Sequence, residues 1–285
     1  MSQEVLQELP TVGVLGLGNL GAAIALRLVD AGLDVAGADT DEERSDALAS
    51  QGVRVGIDAV FQSDVICVVT PDEESLRDSL AARVDWAPRC VVLCATVQPE
   101  AAVSLAEVLE MRGSQLVEAP VSGGALAARR GELSVMVSGP ATGVRAAEPI
   151  LAALANKRFD LGATGAASAV KLVNQLVLFA TLGAVLEGQA LAQSYGVSGD
   201  DLVEALRAST ADSWAIQHLP FFVGLVRDYD EAKVPSANRP WRKDLAAFVA
   251  AAREGSTSAE LASVLSSSLG DQLEAYARAS AGVTQ

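Results

Sequence analysis

Apolar and polar positions in the first half of the chain follow two alternating rhythms. Short, nearly continuous apolar runs at residues 11–15, 34–38, 65–70, 90–95, 115–118 and 133–138 read as strands buried on both faces, which have no solvent side to reserve for polar groups. Between them, at 20–31, 42–50, 73–83, 99–112 and 142–154, apolar residues recur every three or four positions, the spacing of one helix face. Strands alternating with helices, joined by short connections rich in Gly, Pro and Asp, specify a parallel sheet covered on both faces. After Gly162 no further strand is predicted. One long helical pattern over 167–193 is broken at Gly196-Val197-Ser198, and others follow at 199–208, 241–253 and 258–279. The expected fold is therefore an α/β N-terminal domain with a doubly wound sheet over residues 1–161, then an all-α domain over residues 162–285. The first helix of the second domain would run roughly 40 Å at about 1.5 Å per residue, longer than one small core needs, which marks it as an interdomain or interface helix.

Composition narrows the function classes. Half of the 285 residues are hydrophobic and a fifth are charged, enough for a real core and too apolar for disorder. Against 36 acidic residues stand 21 basic ones, a net charge of −15. Such a surface repels phosphate backbones and anionic lipid, so neither a nucleic-acid partner nor a membrane partner is expected. Cys67, Cys90 and Cys94 fall inside apolar runs and read as buried thiols. The single histidine, His218, cannot build a His-rich centre, and no metal is expected. Met1-Ser2-Gln3-Glu4 lacks the basic start and apolar stretch of a signal peptide. The longest lipid-like run, 176–186, falls short of the roughly 20 residues of a bilayer span, and the expected location is the cytoplasm.

Gly16-Leu17-Gly18-Asn19-Leu20-Gly21 is a G-x-G-x-x-G hexapeptide placed after the first predicted strand and opening the first helix. One glycine makes the tight turn, the next lets the backbone approach a pyrophosphate, and the third allows close helix–strand packing. The helix start supplies N–H groups and partial positive charge to the phosphates. Asp39 stands at the end of the second predicted strand, where a Rossmann-type domain uses an acid to accept from both adenosine ribose hydroxyls. Thr40, Asp41, Glu42 and Glu43 follow it. Two unit charges about 4 Å apart at an effective dielectric near 20 interact by roughly 4 kcal/mol, so this rim should repel a 2′-phosphate and favour NAD over NADP. Arg44 is the local cation, expected to point to solvent from its helix.

Three further motifs complete the pattern. Ala119-Pro120-Val121-Ser122-Gly123-Gly124 follows a strand, Gly162-Ala163-Thr164-Gly165 leads into the helix carrying Lys171, Asn174 and Gln175, and Lys243-Asp244-Leu245 opens a late helix. With the glycine hexapeptide, their order and spacing resemble the β-hydroxyacid dehydrogenase family, which includes 3-hydroxyisobutyrate dehydrogenases and tartronate semialdehyde reductases. The resemblance spans nearly the whole chain. It implies an oxidoreductase that moves a hydride between NAD and a small β-hydroxy acid or its semialdehyde.

Lys171, Asn174 and Gln175 stand at i, i+3 and i+4, so one helix face presents all three. A lysine there can protonate a carbonyl oxygen during reduction or assist alcohol deprotonation during oxidation, since burial and neighbours can bring a lysine's pKa toward neutrality. The two amides would orient the lysine and the substrate oxygen without quenching its charge. In the family the catalytic amide falls four residues after the lysine, at Gln175, and the K-x-x-N-Q form looks most like tartronate semialdehyde reductases. Ser122, Gly123 and Gly124 offer a hydroxyl and unencumbered N–H groups suited to a substrate carboxylate. The resemblance further implies that Thr70, Pro71 and Thr96, with Ser75 as a weaker match, line the nicotinamide side, and that Lys243 closes over the cofactor unless Asp244 claims it as a surface pair. It also implies homodimers or homotetramers.

Two departures from the family stand out. Ala95 precedes Thr96 where the family often has serine, and Asn238-Arg239-Pro240-Trp241-Arg242 is bulkier and more basic than the family's apolar approach. Trp214, His218, Phe221, Asn238 and Trp241 are candidates for the substrate's variable end, although large aromatics more often build a core or interface. Two other functions share the architecture: an imine reductase, which usually has aspartate or tyrosine in place of Lys171, and a non-catalytic dinucleotide-binding module.

Overall fold

The computed structural model describes residues 9–70, 75 and 90–281. The chain divides between Lys171 and Leu172 into two compact units. In the first, β1 (Val12–Leu15), β2 (Val35–Ala38), β3 (Arg54–Val55), β4 (Val65–Val68), β5 (Cys90–Leu93) and β6 (Gln115–Glu118) form a parallel sheet in the order β3-β2-β1-β4-β5-β6. The strand order reverses at β1, which lies between β2 and β4. In open parallel sheets the crevice outside the carboxyl ends of the strands at such a reversal is where ligands bind. Leu15, Ala38, Val68, Leu93 and Glu118 end their strands at that edge.

Residues alternate between two cores because successive side chains of a strand point to opposite faces. Val12, Val14, Val65, Cys67 and Val92 pack with α1 (Asn19–Asp30) and α6 (Ala141–Leu154). Leu15, Ile66, Val68, Val91 and Leu93 pack with α3 (Ile57–Phe61) and α4 (Pro99–Glu110). α2 (Glu42–Ala49) follows β2. All three cysteines are buried, as expected; the Cys67 and Cys94 sulfurs lie 3.5 Å apart, and burial pushes the Cys90 thiol up to about 12. The helix expected over 73–83 lies outside the described residues except for Ser75.

The run at 133–138 departs from expectation. It forms β8 (Leu133–Val137), which belongs to a second sheet, β7-β8-β9, with β7 at Val121–Ser122 and β9 at Ala155–Asp160. Gly123 (φ +133°) and Gly124 (φ +74°) turn the chain straight after the two-residue β7 into α5 (Gly124–Arg130), so β8 returns antiparallel to β7 and cannot extend the parallel sheet. β9 pairs parallel with β8. Its sequence, Ala-Asn-Lys-Arg-Phe-Asp, carries no apolar alternation and gave no strand signal.

α7 (Ala166–Ser194) starts before the division of the chain and ends after it. The second unit continues with α8 (Gly199–Arg207), α9 (Trp214–Gln217), α10 (Leu219–Glu231), a 3-10 turn at Ser236–Asn238, α11 (Pro240–Glu254) and α12 (Glu260–Ala281). α9 and α10 were not in the sequence pattern; their signal was Pro220 in the first turn of α10, which pre-sets a helical φ. Phe179, Leu182, Phe222, Val226, Trp241, Leu245, Leu269 and Leu273 form the core of this unit. The expectation that the apolar run falls short of a membrane span is corrected: α7 has 29 residues and an 18-residue window of mean hydropathy 1.8, long and apolar enough to cross a membrane. The apolar stretch continues N-terminally from 176–186 through Val170, Leu172 and Val173, past Lys171, Asn174 and Gln175. Of its polar residues, Ser168, Lys171, Gln175 and Gln189 are buried within the protein, while Glu187 is exposed.

Candidate active site

The glycine loop is dictated by its own backbone. Gly16 has φ +92°, and a Cβ there would lie 2.7 Å from the Val69 carbonyl oxygen. A Cβ on Gly21 would lie 1.9 Å from the Gly16 carbonyl oxygen, so only glycine lets α1 start this close to β1. On Gly18 a Cβ would meet nothing nearer than Arg44 Nη1 at 4.0 Å; its approach face is open. Gly18 is the N-cap of α1 and brings no side-chain hydrogen bond to the helix start. A bare helix start beside an open glycine suits a pyrophosphate, and these residues fit a dinucleotide. Leu17 is buried against Gly37 and Leu20 packs on the core, so both offer main chain only, while Asn19 is exposed.

Asp39 is tied into this loop. Its Oδ2 accepts from Leu17 N at 2.6 Å, its Oδ1 accepts from Asp41 N at 2.9 Å, and its own N donates to Ser45 Oγ. Arg44 does not simply point away, as its helix position suggested. It lies 3.8 Å from Asp39 and 3.2 Å from Asp41, so the acidic rim is partly neutralised. Thr40 is exposed, and Thr70, Ser75 and Thr96 are half-buried. Pro71 lies outside the described residues.

Ser122, half-buried, closes β7 opposite Ser134. A Cβ on the exposed Gly123 would sit 2.8 Å from Ala127 Cβ, so this position stays bare. Lys171 is buried in the second turn of α7, at 8% exposure. Sequence reasoning missed Glu118, the fully buried last residue of β6, whose carboxylate takes hydrogen bonds from the start of α7. Its only sequence signal was its place directly before residues 119–124.

In the second unit, Asn174 Nδ2 donates to Gln175 Oε1 at 3.1 Å and Gln175 Nε2 donates to Asp244 Oδ2 at 2.5 Å. Lys243 Nζ donates to Asp244 Oδ1 at 2.7 Å. Asp244, 3% exposed, accepts only, so it settles which end of the Gln175 amide faces it and anchors Lys243 at the same time. Trp241 is a core residue, whereas Trp214 stacks on His218 at 4.3 Å beside Phe221 on the surface, and Asn238 is exposed.

A family model described as the NAD binding domain of 6-phosphogluconate dehydrogenase matches residues 11–165. Another, described as NAD-binding of NADP-dependent 3-hydroxyisobutyrate dehydrogenase, matches residues 165–284. An L-threonate dehydrogenase of Cupriavidus necator is 35% identical over 216 residues, 73% of each chain. A 3-hydroxyisobutyrate dehydrogenase of Pseudomonas aeruginosa is 33% identical over 215 residues, 72% of each. Among solved structures, the Mycobacterium tuberculosis 3-hydroxyisobutyrate dehydrogenase with L-serine is 28% identical, with a TM-score of 0.75 over 93% of this chain and 94% of that one. A Streptomyces aurantiacus imine reductase, at 20% identity and a TM-score of 0.63 over 90% and 99%, shares the fold alone.

Proposed function

Because the chain belongs to the β-hydroxyacid dehydrogenase family, we propose that it oxidises a small β-hydroxy acid to the semialdehyde, or runs the reverse reduction, with NAD. The observation that carries this reading is a buried lysine, Lys171, followed on the same helix by an amide pair that Asp244 holds in one orientation.

When bound, the nicotinamide dinucleotide supplies the hydride acceptor for oxidation or the donor for reduction. The chain's residues do the rest. The N–H groups opening α1 take the pyrophosphate and Asp39 takes the ribose. Thr70, Pro71, Ser75 and Thr96 serve the nicotinamide end, and Lys243, held by Asp244, is a further cofactor contact. The Ser122 hydroxyl and the N–H groups of Gly123 and Gly124 bind the substrate carboxylate, with hydrogen bonds about twice as strong as neutral ones. Lys171 then gives a proton to the carbonyl oxygen in reduction, or removes the hydroxyl proton in oxidation, and Asn174 and Gln175 orient it. On this reading the enzyme is cytoplasmic.

The test is a panel of 3-hydroxyisobutyrate, L-threonate and L-serine with NAD, tartronate semialdehyde with NADH, and cyclic imines with NADH and NADPH. Turnover of at least one acid is expected. A 2′-phosphate must both meet Asp39 and Asp41 and draw Arg44 from them, so kcat/KM with NAD should exceed that with NADP by about tenfold, roughly 1.4 kcal/mol. Turnover of imines alone would replace this reading with an imine reductase, and equal use of both cofactors would overturn the assignment of Asp39.

Homodimers or homotetramers are part of the same reading, supported by Val173, Val177 and Leu191, apolar residues that α7 leaves exposed. Light scattering should give at least twice the chain mass; only monomer at micromolar protein would defeat this.

A further inference from the structure

We propose that Glu118 is a positioning residue for the reaction: its buried carboxylate fixes the first turn of α7, and with it Lys171, to the strand end from which the substrate loop at residues 119–124 departs. This rests on the reading of Lys171 given above.

The first N–H groups of a helix have no partner within it, and those of α7 can be accounted for one by one. Gly165 N donates to Glu118 Oε2 at 2.5 Å, and Ala166 N donates to the Ala163 carbonyl at 3.1 Å. Ala167 N donates to Ser138 Oγ at 3.2 Å, and Ser168 N donates to Glu118 Oε1 at 3.0 Å. The Ser168 hydroxyl donates to Oε1 at 2.5 Å and the Ser138 hydroxyl to Oε2 at 2.6 Å. Glu118 thus binds two of the four N–H groups directly and a third through Ser138. A negative charge at a helix start is also favoured by the helix dipole. With these donors taken, the start of α7 has none to offer a substrate carboxylate, which leaves that task to Ser122, Gly123 and Gly124.

Two lever arms leave this one residue. Ser168 and Lys171 are three residues apart, about 4.5 Å along the axis and on one helix face, so the side chain of Glu118 sets where Lys171 starts. Its backbone forms an antiparallel bridge with Ser138, N to O at 2.9 Å and O from N at 3.1 Å, and Ser122 follows four residues later. The position needs two acceptor oxygens. Each takes a backbone N–H, which cannot turn away, so a glutamine in either flip would set its NH2 against the N–H of Gly165 or of Ser168. Aspartate is one methylene shorter but keeps both acceptors.

The experiment compares Glu118→Gln, Glu118→Asp, Ser168→Ala and Lys171→Ala. It uses whichever acid of the panel reduces NAD fastest, with kcat, NADH Kd from fluorescence and Tm recorded for each. Glu118→Gln should lower kcat by about tenfold or more while NADH Kd stays within about twofold. Glu118→Asp should recover part of that loss, although glutamine is the closer match in shape. Should Glu118→Gln not fold, Ser168→Ala carries the test, since it removes a hydroxyl donor and keeps the N–H. A fall in kcat of about threefold at unchanged NADH Kd is then expected, and an unchanged kcat overturns the proposal. It is overturned equally if Glu118→Gln keeps wild-type kcat, or if Gln and Asp lose activity alike in step with Tm. Lys171→Ala separates the two levels: near-normal turnover there removes the underlying reading, whereas a dead Lys171→Ala beside a fully active Glu118→Gln removes only this one.

Discussion

Replacing Lys171 by alanine is expected to lower kcat by about 10²–10⁴-fold, the range for loss of a positioned general acid–base group, or roughly 2.7–5.5 kcal/mol of transition-state stabilisation. NADH binding should change by less than about twofold, because Lys171 is not among the residues proposed to take the dinucleotide, of which 16–21 and Asp39 form one tied loop. Lys171 is buried, so alanine also leaves a cavity; Lys171→Met keeps the stem and removes only the amine. Both variants should therefore lose kcat alike, with Met the more stable. Single-turnover kinetics make the measurement direct. If either variant turns over within tenfold of wild type, the amine does not move the proton.

Trp241→Ala should destabilise the helical unit by about 3–5 kcal/mol, the usual cost of truncating a fully buried Trp. The indole is 0% exposed, meets Tyr229 edge-on at 5.6 Å, and donates from Nε1 to Glu274 at 3.1 Å. Glu274 in turn lies 3.4–3.5 Å from Arg239, Arg242 and Arg278, so removing the indole withdraws a donor from a nearly buried carboxylate. A Tm about 10 °C lower or more is expected by calorimetry. Trp214→Ala, at a position 46% exposed, should cost no more than about 1 kcal/mol. If the two cost the same, Trp241 is not the centre of that core.

What was legible in the sequence follows the range of the interactions involved. The glycine hexapeptide declares itself because the turn, the helix start and the close packing are local, and the contact that forbids a Cβ at Gly21 comes from Gly16 within the motif. β1, β2, β4, β5 and β6 were legible because burial on both faces makes them nearly continuously apolar, whereas β3, two exposed residues at the sheet edge, gave no signal. β9 was not legible either, since an edge strand needs no apolar pattern. The pairings of Gln175 with Asp244 and of Ser168 with Glu118 escaped because the partners stand 69 and 50 residues apart. Seen along the chain, each acid only stands beside a known motif. Arg44 illustrates a middle case: the sequence supplied the charge, but only side-chain placement showed it between two carboxylates.

The interior thiols have a practical consequence. Cys67 and Cys90 lie in neighbouring strands at the centre of the parallel sheet and Cys94 follows directly, all of them buried, and the first two are held protonated far above neutral pH. An alkylating reagent can reach them only when the strands separate. The molecule thus carries its own clock: the rate at which iodoacetamide enters native protein reads how often the heart of the sheet opens, with no label added.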